Sequence, residues 1–320
     1  MLTIFATPKP FCGHIGVIQR NAIESWKRLD PDVEIILIGD DEGTSEICRE
    51  LGLVHIGGME RDDSGTLHLD ALFSVAQGRA RHDLLAYVNC DIVLTDDFLP
   101  AVRRLQEWGQ PFLMVGRRWD TDITEPLDFK DSHWQERIRE RAFRGGFQRL
   151  YYNIDYFVFS RGLYRDVPRL AIGRRWWDQW LVWGAQASGA SVVDATDVVW
   201  AVHQNHDYGH VPGGMPQLWY GEQAQRNFQL AGGWGHLHTL EDARFLMTSE
   251  GIRANLLYWL APAKRWVRRA SHFVKTKARL GVWFPILNAT RPIRRAIGLD
   301  RRVVDRYGGE PAVRRHPLDR

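Results

Sequence analysis

The chain has 320 residues, of which 44% are hydrophobic and 25% charged, and it contains 14 tryptophans and three cysteines. This balance excludes a disordered or fibrous protein, and the few, widely spaced cysteines argue against a disulfide framework and a structural zinc site. The net charge of +3 is unevenly distributed. Residues 261–302 hold 12 Lys and Arg against one acid, Asp300, whereas residues 1–260 hold more acids than bases. The sequence therefore predicts an acidic body followed by a basic tail.

The composition also bears on the compartment. The N-terminus lacks the basic segment and long apolar core of a signal peptide, and no apolar run approaches the roughly 20 residues that cross a bilayer. Cys12, Cys48 and Cys90 have no evident partners, which indicates a reducing compartment. We expect a cytoplasmic protein.

Short apolar runs alternate with amphipathic segments through most of the chain. The runs predict strands at residues 2–6, 33–41, 84–94, 112–115, 155–159 and 192–202. Three-to-four spacing of apolar residues predicts helices near 15–29, 67–80, 98–108 and 176–187. This alternation predicts an α/β fold with a mainly parallel, doubly wound sheet flanked by helices. We expect it to span residues 1–250, with the chain pattern changing to a basic helical tail over residues 251–320.

Polar residues that end apolar strands are the first candidates for a site, because ligands of open α/β sheets bind at the carboxyl ends of the strands. Asn89 and Asp91 alternate with Cys90, so on an extended backbone both side chains point to one side. Two oxygen donors of this kind suit Mg²⁺ or Mn²⁺, which takes few protein ligands when it also binds substrate phosphates. The alternative is a polar turn that leaves the strand, followed by a cap of the next helix at Thr95-Asp96-Asp97.

With the strand end Ile38-Gly39-Asp40-Asp41 before it, the segment from Leu85 to Leu94 resembles the D-x-D region of the GT-A nucleotide-sugar glycosyltransferases. The resemblance covers about residues 1–245. It implies a nucleotide-sugar half over about residues 1–118 and an acceptor half over about 119–250. It also implies a divalent cation (Mn²⁺ or Mg²⁺) held by Asn89 and Asp91 against the diphosphate of a UDP- or GDP-linked sugar. Because Asn replaces the usual first acid, Asp91 is expected to be the principal ligand.

Further residues are assigned on this resemblance. Asp40 or Asp41 would meet the nucleoside and Thr7 would line the base pocket. Asp70, at the start of a predicted helix, is a candidate nucleotide contact, although an acid in a first helical turn also complements the helix dipole. Arg117 and Arg118, which follow the predicted strand at 112–115, are candidate partners of the diphosphate or of an acidic acceptor, since guanidinium groups match phosphate geometry.

The acceptor half supplies the expected catalytic groups. Family members place an acid near a helix start in this region, so Asp178 is the candidate base that removes the acceptor hydroxyl proton, and Asp155 is the second choice. His203 and His206 follow another apolar strand but lack the helical spacing of a zinc motif. By the resemblance, one of them reaches back to the metal or diphosphate.

Three functions remain open at this point. The first is a hexosyltransferase that moves a sugar to a glycan or lipid-linked acceptor. The second is a sugar-phosphate nucleotidyltransferase, although Thr7-Pro8-Lys9-Pro10 lacks the Gly-rich phosphate loop that opens such enzymes. The third is a non-catalytic glycan-binding or scaffold protein, which Asn89 in place of an acid favours.

The tail is a candidate membrane contact. Over residues 252–297, Trp, Leu and Phe recur at helical spacing and Lys and Arg fill the other positions. That composition is typical of a helix lying in an anionic membrane interface, and the alternative is that the same apolar stripe packs on the acidic body. No nucleic-acid-binding motif accompanies the charge, so we expect no nucleic-acid partner.

Overall fold

The computed structural model describes residues 1–206 and 215–260, which form an α/β structure. The strands are β1 Leu2–Ala6, β2 Glu34–Ile38, β3 Val54–Ile56, β4 Leu84–Val88, β5 Ile92–Leu94, β6 Phe112–Val115, β7 Arg118–Thr121, β8 Phe147–Gln148, β9 Tyr156–Ser160, β10 Ser191–Asp194, β11 Ala201–Gln204, β12 Phe245–Thr248 and β13 Gly251–Ala254. The helices are α1 Gly13–Lys27, α2 Thr44–Leu51, α3 Leu69–Arg79, α4 Phe98–Trp108, α5 Trp134–Gly145, α6 Trp177–Ala187, α7 Met215–Tyr220, α8 Glu222–Leu230 and α9 Leu256–Leu260, with short 3-10 turns at Gly233–His236 and Leu240–Asp242.

Nine strands form the main sheet, in the order β13-β12-β10-β6-β9-β4-β1-β2-β3. Most neighbouring pairs are parallel, whereas β9 runs antiparallel to both β4 and β6 and β13 runs antiparallel to β12. The predicted α/β architecture with a mainly parallel sheet is confirmed. Because β9 is reversed, its first residues lie at the edge of the sheet where β4 ends, with Val88 opposite Tyr156.

Apolar side chains cover both faces of the main sheet. The central strand β4 is wholly buried, and its residues alternate between the two faces as the strand pleat requires. One face packs against α1 and α4 through Trp26 and Phe98, and the other packs against α3 and α6 through Phe73 and Trp180. Helices on both faces fix the strand ends, so the polar residues that follow those ends are held at one edge.

Two predicted strands are each broken in two. Residues 84–94 leave the main sheet after Val88 and turn at Asn89, Cys90 and Asp91, where the amide of Ile92 donates to the carbonyl of Asn89 over 3.0 Å. The chain then enters a second sheet, of order β5-β11-β7-β8. Residues 192–202 divide in the same way, between β10 of the main sheet and β11 of the second. Periodicity shows an apolar run but not a corner within it.

A hairpin lies next to the predicted domain boundary at residue 250. β12 and β13 form it on the edge of the main sheet, and residues 251–254 are a strand instead of the start of a helix. Residues 261–320, which carry most of the predicted tail, lie outside the described residues. Within residues 1–206 and 215–260, no helix has the length and apolar character needed to cross a membrane.

Candidate functional site

The carboxyl ends of the strands open into a cavity of about 540 Å³. The segment after β1 contributes Thr7 and Lys9, and the turn after β4 contributes Asn89 and Asp91. Further polar lining residues include Arg118, Asp155, Asp178, His203 and His206. Parallel strands bring their carboxyl ends to one edge, and the reversed strand β9 brings the preceding Asp155 to the same edge. A cavity of this size with a few convergent polar groups is the usual form of a small-molecule site.

Asp91 is the centre of the cluster. Its Oδ2 atom lies 3.2 Å from Nε2 of His206 and 3.7 Å from Nε2 of His203. Its Oδ1 atom is buried and has no hydrogen-bond partner among the described residues. Burial alone would raise the pKa of Asp91, but the two histidines and Lys9 outweigh burial and hold that pKa well below its ordinary range. Asp91 is therefore an ionised carboxylate with one oxygen available to a ligand.

The second sheet positions the two histidines. His203 pairs with Ile92 on β5, next to Asp91, and with Asp120 on β7. Nδ1 of His203 lies 3.4 Å from Oδ1 of Asp120, which leaves Nε2 directed at Asp91. A carboxylate on the far side of a histidine ring is a common arrangement in metal sites. One ligand atom from each of Asp91, His203 and His206 lies within 4.8 Å of the others, so the three residues could together hold one metal ion.

Asn89 makes a different contact from the one its spacing suggested. Because Asn89 and Asp91 lie in a turn, their side chains diverge, and Nδ2 of Asn89 donates to Oδ1 of Asp155 over 2.6 Å. Arg118 donates to the other oxygen, Oδ2 of Asp155, over 2.6 Å, and also to Oδ1 of Asp120 over 2.8 Å. Both oxygens of Asp155 are thus engaged by neighbouring side chains.

Asp178 lies in a different environment. It sits in the first turn of α6, partly buried, and burial raises its pKa to about 7, with Asp155 adding to the rise. The preceding Trp176 has a φ of 90°, a left-handed conformation that is unusual for a bulky side chain. Phe228 and Trp234 pack against its ring, with centroids 5.8 and 5.2 Å away. Such strain persists only where packing enforces it, and here it directs the start of α6 at the cavity.

The residues predicted for the nucleotide divide into two groups. Thr7 and Asp41 line the cavity, and Asp41 forms an ion pair with Arg61. Asp40 and Asp70 are not among the lining residues. Asp40 accepts a hydrogen bond from the amide of Gly58 over 2.7 Å, and Oδ1 of Asp70 is buried with no hydrogen-bond partner among the described residues.

The cavity contains cationic residues that were assigned no role in the site from the sequence: Lys9, Arg61, Arg174 and Arg175. Of the pair Arg117-Arg118 it is Arg118 that lines the cavity, whereas Arg117 precedes β7 and lies outside the lining. Lys9 also lines it, although it was weighed only as the single lysine of a poor phosphate loop. Its position between two prolines directly after a strand was the available signal.

Comparisons with known proteins give distant structural likenesses. No protein-family model matches the sequence, and no curated protein matches it significantly. The S. aureus TarS fragment 1–349 in complex with UDP-GlcNAc aligns with a TM-score of 0.45 and 13% identity, over 66% of this chain and 60% of that one. The mannosyltransferase PcManGT from Pyrobaculum calidifontis, in complex with GDP-Man and Mn²⁺, aligns with a TM-score of 0.38 and 14% identity, over 65% of this chain and 58% of that one. The glucosyl-3-phosphoglycerate synthase from Mycobacterium tuberculosis, in complex with Mn²⁺, UDP and phosphoglyceric acid, aligns with a TM-score of 0.41 and 11% identity, over 64% of this chain and 71% of that one. The match to TarS thus spans about three fifths of the fragment's length.

The ion pairs of Arg118 generate a stability prediction. Arg118→Met should lower the free energy of unfolding by about 3 kcal/mol, because it leaves Asp120 and Asp155 buried without their shared partner. Urea denaturation measures this loss. Arg144→Met is the matched control, since its ion pair with Glu140 is exposed and should contribute less than about 1 kcal/mol. Equal losses in the two variants would show that the Arg118 pairs do not hold the site.

Proposed function

We propose that this protein is a glycosyltransferase that moves a hexose-type unit from a UDP- or GDP-linked sugar to a hydroxyl group of a glycan or lipid-linked acceptor. The observation that carries the proposal is the placement of two different acids in one cavity. Asp91 is ionised beside two histidines, and Asp178 has a pKa near 7. A donor diphosphate that binds with a metal ion needs an ionised carboxylate such as Asp91. An acceptor hydroxyl needs a proton acceptor with a pKa near neutral, such as Asp178. The GT-A resemblance of the segment around Asp91 agrees with this reading.

The donor side is suited to a divalent cation. Asp91 offers a buried oxygen that lacks a hydrogen-bond partner among the described residues, and His203 and His206 offer nitrogens beside it. Imidazole nitrogens beside a single carboxylate suit Mn²⁺ better than Mg²⁺, which prefers oxygen ligands. When bound, the cation neutralises charge that develops on the leaving diphosphate. The nitrogen of the Asn89 amide donates to Asp155, so Asn89 would contribute its amide oxygen as a further ligand.

On the acceptor side, we assign the base to Asp178 and not to Asp155. Both oxygens of Asp155 already accept hydrogen bonds, one from Asn89 and the other from Arg118, so they are engaged by protein side chains and not by an acceptor hydroxyl. Asp178 has a pKa close to neutral, which suits proton transfer at physiological pH. In an inverting transfer, its carboxylate takes the acceptor hydroxyl proton as that oxygen bonds to the anomeric carbon. The bond from that carbon to the nucleoside diphosphate then breaks, and its electron pair leaves with the diphosphate.

Other functions are consistent with parts of this site. Two histidines and one carboxylate also bind Fe(II) in oxygenases, but here Lys9, Arg61, Arg174 and Arg175 line the same cavity, which favours an anionic ligand. A nucleotidyltransferase would turn over nucleoside triphosphates. A scaffold protein would show no nucleotide-dependent rise in melting temperature.

We further propose that the protein works at the inner face of the cytoplasmic membrane. Leu256, Leu257 and Trp259 on α9 are exposed, with exposed fractions of 66%, 77% and 57%. They directly precede residues 261–302, whose sequence carries 12 basic residues against one acid. Exposed apolar groups next to a dense positive charge favour an anionic lipid surface.

The catalytic assignment leads to a pH-dependent prediction. Because Asp178 must be ionised to accept the proton, kcat/KM of the wild-type protein should rise with pH and level off above about 7. Asp178→Asn should reduce kcat by about 10² to 10⁴-fold and leave nucleotide affinity within about threefold. Donor turnover with a glycan acceptor panel gives the rates, and calorimetry gives the affinity. Asp166→Asn, at an exposed position outside the cavity, is the control. Wild-type rates in Asp178→Asn would remove Asp178 from the mechanism.

The membrane proposal is tested by co-sedimentation with vesicles of phosphatidylglycerol and phosphatidylcholine. Replacing Leu257 and Trp259 together by Ser should weaken binding at least about tenfold, since each buried side chain contributes about 1.5–3 kcal/mol. The matched control replaces Val54 and Leu230, which are exposed by 41% and 42% on other elements, and should bind like the wild type. Equal binding by the two double variants, or no binding by the wild type, contradicts the proposal.

A further inference from the structure

Lys9 is held in a fixed position at the floor of the donor side. Gln19 of α1 binds its backbone twice: the amide of Lys9 donates to Oε1 of Gln19 over 2.6 Å, and Nε2 of Gln19 donates to the carbonyl of Lys9 over 2.8 Å. Gln19 is itself 2% exposed, and Pro8 and Pro10 restrict the backbone on both sides of Lys9. The cavity therefore contains a lysine whose main chain cannot readily move away.

The ammonium group of Lys9 lies in the cluster around Asp91. Its Nζ atom is 3.4 Å from Nε2 of His206, the same nitrogen that lies 3.2 Å from Oδ2 of Asp91. Among the described residues, His206 is its only hydrogen-bond partner, which leaves N–H donors for a ligand. Burial lowers the pKa of Lys9, while the charge of Asp91 opposes that effect.

Before any ligand enters, the charges balance among Lys9, Asp91, Arg118, Asp120, Arg149 and Asp155, and Arg174 and Arg175 line the same cavity outside this group. Arg118 and Arg149 form ion pairs with Asp120 and Asp155, so these two cations and two anions offset one another. Asp91 and Lys9 remain, with opposite charges. A divalent cation that enters alone would meet one carboxylate and a repelling ammonium group. A diphosphate that enters alone would meet an ammonium group with free donors.

We infer that Lys9 is a built-in cation of the diphosphate site: its ammonium pairs with the donor diphosphate, so that a nucleoside diphosphate binds without a divalent cation. This inference rests on the proposed function of the cavity. Lys9 and a divalent cation share His206, so a metal ion binds there only when the ammonium group leaves Nε2 of that ring. The negative charge of the nucleotide favours that exchange, and metal binding therefore follows nucleotide binding.

The test is calorimetric titration of UDP and GDP into the full-length protein, in EDTA and in saturating Mn²⁺. The wild type should bind one of the two nucleotides in EDTA. Lys9→Met, which keeps most of the length of the side chain and removes its charge, should weaken that binding about tenfold or more, as expected for the loss of one charge-assisted hydrogen bond. In saturating Mn²⁺, the nucleotide affinity of Lys9→Met should be less than about threefold below that of the wild type. Lys130→Met, an exposed lysine outside the cavity, is the matched control.

Titration of Mn²⁺ without nucleotide, followed by electron paramagnetic resonance of the free ion, gives a second readout. Lys9→Met should bind Mn²⁺ several-fold more tightly than the wild type, because the competing ammonium group is gone. Nucleotide binding by the wild type only in Mn²⁺ would overturn the inference and leave the proposed function intact. Unchanged affinities of Lys9→Met for the nucleotide and for Mn²⁺ would also overturn the inference and leave the proposed function intact. No nucleotide binding under either condition would overturn both. The EDTA titration uses the wild type, so it decides the matter even if Lys9→Met does not fold.

Discussion

The guanidinium group of Arg118 joins two buried carboxylates that belong to different parts of the structure. Asp120 lies beside it on β7 of the second sheet, and Asp155 directly precedes β9 of the main sheet. Asn89, at the end of β4, binds the same Asp155. This network fixes the edge of the main sheet against the sheet that carries His203. Buried ion pairs contribute little net stability because desolvation offsets their attraction, but they set geometry strictly, since a lost partner leaves a buried charge.

Once that network is in place, three of the acids that line the cavity acquire different properties. Asp155 is saturated with hydrogen bonds and orders its neighbours. Asp91 is kept ionised by the histidines and Lys9, which outweigh its burial. Asp178 has fewer compensating charges, and burial raises its pKa to about 7. Acids with separated pKa values in one cavity are the arrangement that acid-base chemistry requires. The proposed transfer depends on this difference: an ionised carboxylate lies at the donor side, and a carboxylate that can take up a proton lies at the acceptor side.

Much of the fold follows from local sequence pattern, and the site follows only in part. β1, β6, α4 and the start of α6 match their predicted bounds closely, because each is an apolar or amphipathic run with clear limits. Periodicity missed the corner at Asn89-Cys90-Asp91, where the chain changes sheets, and so assigned Asn89 and Asp91 a shared direction. Strand ends still identified Asp91, and the density of histidines identified His203 and His206. Lys9 was missed as a site residue, and Arg118 was not separated from Arg117, because their roles depend on contacts between distant strands.

The central claim is that Asp91, His203 and His206 form the diphosphate end of a nucleotide-sugar site whose acceptor end is Asp178. Anomalous diffraction from crystals grown with Mn²⁺ and the nucleotide that binds best tests it most directly. We expect an anomalous peak between Asp91 and the two histidines, with the diphosphate beside it. The terminal phosphate, which carries the sugar in the donor, should face Asp178. Nucleotide density elsewhere on the protein, or a peak at other residues, would contradict it.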